Sequence, residues 1–329
     1  MKLFGSFKTI SLVLGSLFMG SCIHEYPSGS AYDPSGIETA IELDLDLQWS
    51  EKEITPEFSP TKARNDELIK VIAEVSSQGD IVGRDEFFVN SDEYAQGYVR
   101  HRLSFGLHAL NYDLAVWCEY NLDEDIDPDI VFDSSSMNNI KIKSENVNSI
   151  KTQCGYAASS LDLRSYKGET EVRVIKQLNV EHSGARFRLI TTDIRSFVEE
   201  ELWAIENGET YTLTVNFDSS TPDAFDAYTG NAIRNYDTFS MTGALIPSYD
   251  YYGEKTIAEG FVFCDEEDEI TMQVTVHNSA RMIVVRSSQF SFKVKRGMTS
   301  IVYGDFLSEI FVNTIRVNNI WDGEDFIDL

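Results

Sequence analysis

The sequence predicts a mainly β protein, with two tandem antiparallel β-sandwich domains and one short helix in the second. Three observations carry this reading. Short runs that alternate apolar and polar residues recur along the chain, and alternation with a period of two marks half-buried strands. Turn signals such as Ser77-Gln78-Gly79-Asp80 separate them. Only one stretch, after Asp193, has helical spacing, so parallel βαβ units have no helices to build on. At roughly 100–200 residues per domain, 329 residues suggest two. We place the signal at 1–21, a tether at 22–40, and the sandwiches at 41–166 and 167–329.

Lys2 and Lys8 precede an apolar run, Ile10 to Met19, closed by Gly20-Ser21-Cys22. About ten apolar residues cannot span a hydrocarbon core that needs roughly 20 in a helix, so the stretch reads as a cleaved secretory signal. Small residues directly before a cysteine make it a bacterial lipobox. Cys22 is then the expected lipid attachment site, thioether-linked to diacylglycerol and N-acylated by a palmitate-type chain. Each buried methylene contributes about 0.8 kcal/mol, and two or more chains make anchoring stable. The expected address is a membrane surface, with everything behind Cys22 folding as a separate body.

Residues 23–40, rich in Gly, Pro and Ser, show no periodicity and read as the tether. Ile41 to Trp49 then alternates without error, with Ile41, Leu43, Leu45, Leu47 and Trp49 on one face. Further strands are expected at Leu68–Val75, Glu86–Asn90, Tyr98–Leu107, Tyr112–Tyr120 and Tyr156–Leu163. Residues 134–165 show little pattern apart from that last strand. Tyr166-Lys167-Gly168 is the expected domain boundary, and Glu171–Val180 with Ala185–Thr191 reads as a strand pair. The helix should start at Asp193 as N-cap, carry Ile194, Phe197, Val198, Leu202 and Ile205 on one face, and stop at Asn207-Gly208. Strands return at Tyr211–Phe217, Phe239–Ala244, Ile257–Phe263, Ile270–His277, Ile283–Ser287, Phe290–Lys295, Thr299–Tyr303 and near Ile315–Val317.

A net charge of −27 disfavours nucleic acid and anionic surfaces as partners. No cofactor or metal is expected. The five histidines are scattered without metal-ligand spacing, and His101 reads as a core histidine on an apolar strand face. Asp123, Asp125, Asp127 and Asp129 alternate as a calcium loop would, but Pro128 and Ser134 stand where that motif needs Gly and a bidentate acid, so a solvated loop is the reading. No nucleophile elbow, P-loop or dinucleotide fingerprint occurs, and the chain is read as no enzyme. Of four tryptophans, Trp49 and Trp203 sit in core phase. Beyond Cys22 three cysteines remain, Cys118, Cys154 and Cys264; a Cys118–Cys154 bridge stays open, with burial as the leading reading.

Several segments together carry a resemblance: Cys22-Ile23-His24-Glu25-Tyr26-Pro27, the strand Tyr112 to Trp117, Ala185 to Asp193, Lys295 to Thr299, and Tyr303-Gly304-Asp305-Phe306-Leu307. In this order the chain resembles the fimbrillin-type lipoproteins of Bacteroidales, the stalk, anchor and accessory subunits of type V pili. The resemblance implies two transthyretin-like sandwiches and an outer-membrane, cell-surface location. It also implies partners of three kinds: other fimbrial subunits joined by donor-strand pairing, the outer membrane through Cys22, and a host or bacterial surface ligand. In such pili a stalk subunit is cut by an arginine-specific protease behind its first strand. The emptied groove then accepts a neighbour's strand by β-augmentation.

Here the groove-filling first strand would be Ile41 to Trp49, and Arg64 is the one early candidate for protease processing, since neither Arg nor Lys lies between Cys22 and Gln48. Read as an ordinary loop arginine, Arg64 leaves an uncleaved anchor-like or accessory subunit; read as a cleavage site, it makes a polymerising stalk pilin. The first is favoured. The segment Asn313 to Leu329 reads either as a closing strand or as a donor. The alternative of another class is a surface glycan-binding lipoprotein using Trp49 or Trp321, with a lipid-anchored hydrolase ranked last.

Overall fold

The computed structural model describes residues 36–47, 67–90, 98–121, 131–143, 152–235, 238–247, 253–308 and 316–320. The signal, Cys22, Trp49, Arg64, the acidic run at 123–129 and Trp321 lie outside these residues.

The first sandwich pairs two sheets. One is three-stranded, in the order β4 (Tyr98–Leu107), β1 (Ile37–Asp46), β9 (Glu171–Asn179). The other runs β10 (Glu181–His182), β8 (Thr152–Asp162), β5 (Asn111–Asn121), β2 (Glu67–Ser77), β3 (Asp80–Asn90). Gln78 and Gly79 both take positive φ, 54° and 89°, which turns the β2–β3 hairpin tightly. Between the sheets lies a core of Ile41, Leu43, Leu45, Val71, Val75, Leu114, Val116, Leu161 and their neighbours.

The second sandwich repeats the scheme. One sheet is β16 (Lys255–Phe263), β11 (Gly184–Thr191), β20 (Thr299–Gly304), β21 (Arg316–Ile320). The facing sheet is β15 (Ser240–Leu245), β12 (Tyr211–Phe217), β17 (Glu267–Asn278), β18 (Ile283–Arg286), with β19 (Phe290–Lys295) also on β17. Each sandwich is antiparallel apart from one parallel pair, β1 with β9 and β11 with β20. In both, the first strand of the unit lies between an antiparallel and a parallel neighbour.

Several expectations are corrected by this pairing. Glu171–Val180 and Ala185–Thr191 do not pair with each other: β9 returns to β1 in the first sandwich, while β11 joins β16 and β20 in the second. The passage between sandwiches therefore falls near Ser183-Gly184, not at Tyr166-Lys167-Gly168. Gly184 marks the spot, since a Cβ there would come within 2.1 Å of the Val262 carbonyl oxygen. The first strand opens at Ile37, four residues into the expected tether, and the third spans Asp80–Asn90.

The expected helix is two short segments, α1 (Ile194–Glu200) and α2 (Leu202–Glu206), broken where Glu201 accepts a hydrogen bond from the Tyr211 hydroxyl at 2.8 Å. Asp193 makes no side-chain cap; its carboxylate instead accepts the Leu307 amide at 3.0 Å and the Thr191 hydroxyl. Gly208 ends α2 with φ of 84°, as the stop signal implied. The turn between the segments swings Trp203 outward, where it is 78 % exposed, against its expected core role. Cys118, Cys154 and Cys264 are all free and buried. In the β5–β8 ladder Cys118 stands opposite Gly155 and Cys154 opposite Glu119, so the two thiols point to opposite faces of one sheet and no bridge can form.

Two small strands went unread, β6 (Phe132–Asp133), at the end of the stretch read as an acidic loop, and β7 (Ile140–Ile142), in the low-pattern region. They meet β13 (Ala224–Asp226) and β14 (Asn231–Ile233) from the second half in one four-stranded sheet, in which Phe225 faces Ile140. This sheet joins the two halves. Beneath it Trp117, fully buried, has the rings of Phe132, Phe225 and Phe263 at 5.8, 5.9 and 6.3 Å. Arg296 completes the seam. Its guanidinium donates to the carbonyls of Gly230 and Cys264 and to the Tyr156 hydroxyl, and lies 5.6 Å from the centroids of both Tyr156 and Phe225.

Candidate functional site

The first strand and its groove form the candidate site. The alternation of β1 sends Ile41, Leu43 and Leu45 into the core, and Leu47, directly after the strand, joins them; all four are fully buried, as is Ile37. The intervening Glu42 and Asp44 face outward. Glu42 meets Arg173 of β9 at 2.5 Å, and that hydrogen bond holds its carboxyl below the usual range. Asp44 lies 3.5 Å from Arg100 of β4. The wet face of β1 is thus tied by charge to both of its neighbours.

The backbone of β1 is engaged on both edges. It runs antiparallel to β4 from Ile37 opposite Leu107 to Asp46 opposite Tyr98, and parallel to β9 from Glu38 opposite Glu171 to Asp46 opposite Asn179. Fully burying one Leu or Ile side chain contributes about 1.5–3 kcal/mol, so five such residues amount to on the order of 10 kcal/mol. Without β1, the edges of β4 and β9 would both stand open above an apolar trough. Only another strand of the same alternation restores both the pairing and the burial.

Direction matters as well as burial. Because β1 and β9 run parallel, and β9 leads through Val180 into the second sandwich, Ile37 lies at the pole of the first sandwich remote from the second. The first strand therefore begins at one end of the molecule. At the C-terminal side, β21 lies antiparallel on β20, with Thr299 opposite Ile320 and Tyr303 opposite Arg316. Of the two readings for this segment, residues 316–320 take that of a strand closing their own sheet.

The sequence reading put five residues on one face of the first strand, and the fold places the four that are described, Ile41, Leu43, Leu45 and Leu47, in one core. Trp49 and Arg64 fall outside the described residues. His101 stacks on Phe87 at 3.6 Å and faces Asp85 at 3.5 Å, covering the seam between β3 and β4 instead of lying in the core. Among the described residues no group of three His, Cys, Asp or Glu side chains is placed to hold a metal, and no helix is long and apolar enough to cross a membrane. Sequence reasoning missed the junction residues Trp117, Phe225 and Arg296. A signal existed in Leu114-Ala115-Val116-Trp117-Cys118, an unbroken apolar run that marks a strand buried on both faces.

A model of the family described as "Family of unknown function (DUF6562)" matches residues 34–328. A comparison with curated protein sequences finds no match. Among solved structures, the fimbrial anchor protein Mfa2 from Porphyromonas gingivalis is similar with a TM-score of 0.47 and 11 % identity, over 86 % of this chain and 98 % of that one. A fimbrial assembly protein from Parabacteroides distasonis is similar with a TM-score of 0.35 and 10 % identity, over 87 % of this chain and all of that one.

Proposed function

The chain belongs to the DUF6562 family, and we propose that it is a lipid-anchored cell-surface protein of a fimbrial fibre, an anchor-like or accessory subunit that retains its first strand. Its role is structural, exercised through backbone pairing and not through reacting side chains. The observation that carries the reading is the position of β1, the middle strand of its sheet, paired on both edges and with its apolar face fully buried. A strand held by on the order of 10 kcal/mol of burial does not leave unaided, so an uncut chain keeps its groove filled. Lipidation at Cys22 would hold the tether, and the tether enters at the pole that the direction of β1 sets.

Partner subunits, in this reading, pair with exposed strand edges by β-augmentation, where main-chain hydrogen bonds set the geometry and alternate side chains set the specificity. Cleavage behind Arg64 would reverse the assignment, because the first strand could then exchange for a neighbour's. The test is the intact mass and N-terminal sequence of the protein recovered from the outer-membrane fraction. We expect a chain that starts at acylated Cys22. A delipidated chain starting at Asn65 would overturn the anchor reading in favour of a polymerising subunit, and recovery from the soluble fraction with an unmodified Cys22 would overturn lipid anchoring.

A further inference from the structure

We infer that the second sandwich carries a binding site for a neutral glycan on the outer face of its larger sheet, where β12, β15 and β17 meet. The inference does not depend on the fimbrial reading. A cavity of about 380 Å³ opens there, within the size range of small-ligand sites. Its lining combines three amides, Asn216, Gln273 and Gln289, with the Thr238 and Ser240 hydroxyls, and Asp218 is its one charged residue.

The amides are already oriented. The Asn216 side-chain NH₂ donates to the Thr275 hydroxyl at 2.6 Å, and that of Gln273 donates to the Ser287 carbonyl at 2.8 Å. Both amide oxygens are left as acceptors without a donor among the described residues. The Asp218 carboxyl accepts the Ser220 amide at 2.9 Å and is held below the usual range, so it too is an ionised acceptor. Fixed acceptors beside hydroxyls and an exposed amide ask for a ligand rich in hydroxyls, which both donate and accept. Phe217 and Phe239, which also line the cavity, stack on each other at 4.3 Å and 8° and pack into the core of the second sandwich, which fixes the strand ends that carry the amides.

The surroundings narrow the class. The outward positions of the same sheet continue as hydroxyls, with Thr214 paired to Thr242 at 3.3 Å and Thr271 to Ser291 at 2.7 Å. These hydroxyls lie nearest the cavity; farther along the same face stand Arg286, opposite Thr275, and Lys293, opposite Glu269, on a chain of net charge −27. The field of so acidic a body repels sulfated, phosphorylated or uronate-bearing sugars. A neutral polyhydroxylated chain suits the cavity and the hydroxyls beside it.

The test is affinity electrophoresis of the folded body in gels containing dextran, galactomannan, mixed-linkage β-glucan or polygalacturonate. The variants are Gln289→Ala, which removes an exposed group, and Gln273→Ala, with thermal unfolding recorded for each. At least one neutral polysaccharide should retard the wild type, and Gln289→Ala should weaken that retardation about tenfold at unchanged thermal stability. Trp203→Ala, at a remote exposed aromatic, should leave it intact. Any of the following overturns the proposal: no neutral polysaccharide retards the protein, only polygalacturonate does, Gln289→Ala binds as the wild type does, or Trp203→Ala alone abolishes binding.

Discussion

His182 sits at the passage between the sandwiches, its ring 3.0 Å from where a Cβ on Gly297 would lie. Burial, with Arg186 and Arg296 nearby, pushes its pKa down to about 4. The folded chain thus keeps it neutral while the unfolded chain protonates it near pH 6.5. Its contribution is fully present above about pH 6.5 and is lost as pH falls toward 4, at most about 3 kcal/mol for a shift of this size. Urea unfolding at pH 7 and pH 4.5 should show a smaller loss in His182→Gln than in wild type; parallel losses would assign the effect to other groups. The three buried thiols are a second case. Burial pushes Cys264 up to about 12, and raises Cys118 and Cys154 as well. With Cys22 replaced by Ser, a thiol reagent should therefore modify none in the native body and three after denaturation. Reading single residues from the sequence went astray where a turn intervened: Trp203 has core phase in a continuous helix, but the break at Glu201 turns it into solvent.

Among the elements, β1 was legible because nine alternating residues leave one face apolar and the other charged, and strand phase follows directly from that pattern. Its pairing with β9 was not, although β9 itself was read as a strand over Glu171–Val180. Parallel pairing of Glu38 with Glu171 joins residues far apart in sequence, and no local period records it. The small strands β6, β7, β13 and β14 were invisible for another reason: two or three residues are too few to display a period. Substitutions in β1 separate its two faces. Leu43→Ala or Leu45→Ala should cost about 2–5 kcal/mol in chemical denaturation, as large-to-small changes in packed cores do. Glu42→Ala, at an exposed pair, should change stability little. Equal effects from both faces would mean that the strand is not seated as described.

At the scale of the whole molecule, the joining sheet and Arg296 make the two sandwiches one packed body. Trp117 from the first half and Phe225 and Phe263 from the second share one buried cluster. Calorimetry should therefore show a single cooperative transition. Arg296→Ala leaves the carbonyls of Gly230 and Cys264 without their donor, a loss of about 1–3 kcal/mol. Combined with Phe225→Ala it should split the transition in two. A single sharp transition in the double variant would show that the sandwiches are coupled by something else.

The parallel run of β1 beside β9 has a mechanical consequence. A pull along the molecule enters β1 at Ile37 and leaves β9 at Asn179, at opposite ends of the paired length. Under that load the two strands slide past each other, and every rung between them is strained at the same moment. Were the strands antiparallel, the same pull would open the rungs singly, like a zip. In this geometry the first described strand of the chain is loaded in shear along its whole paired length.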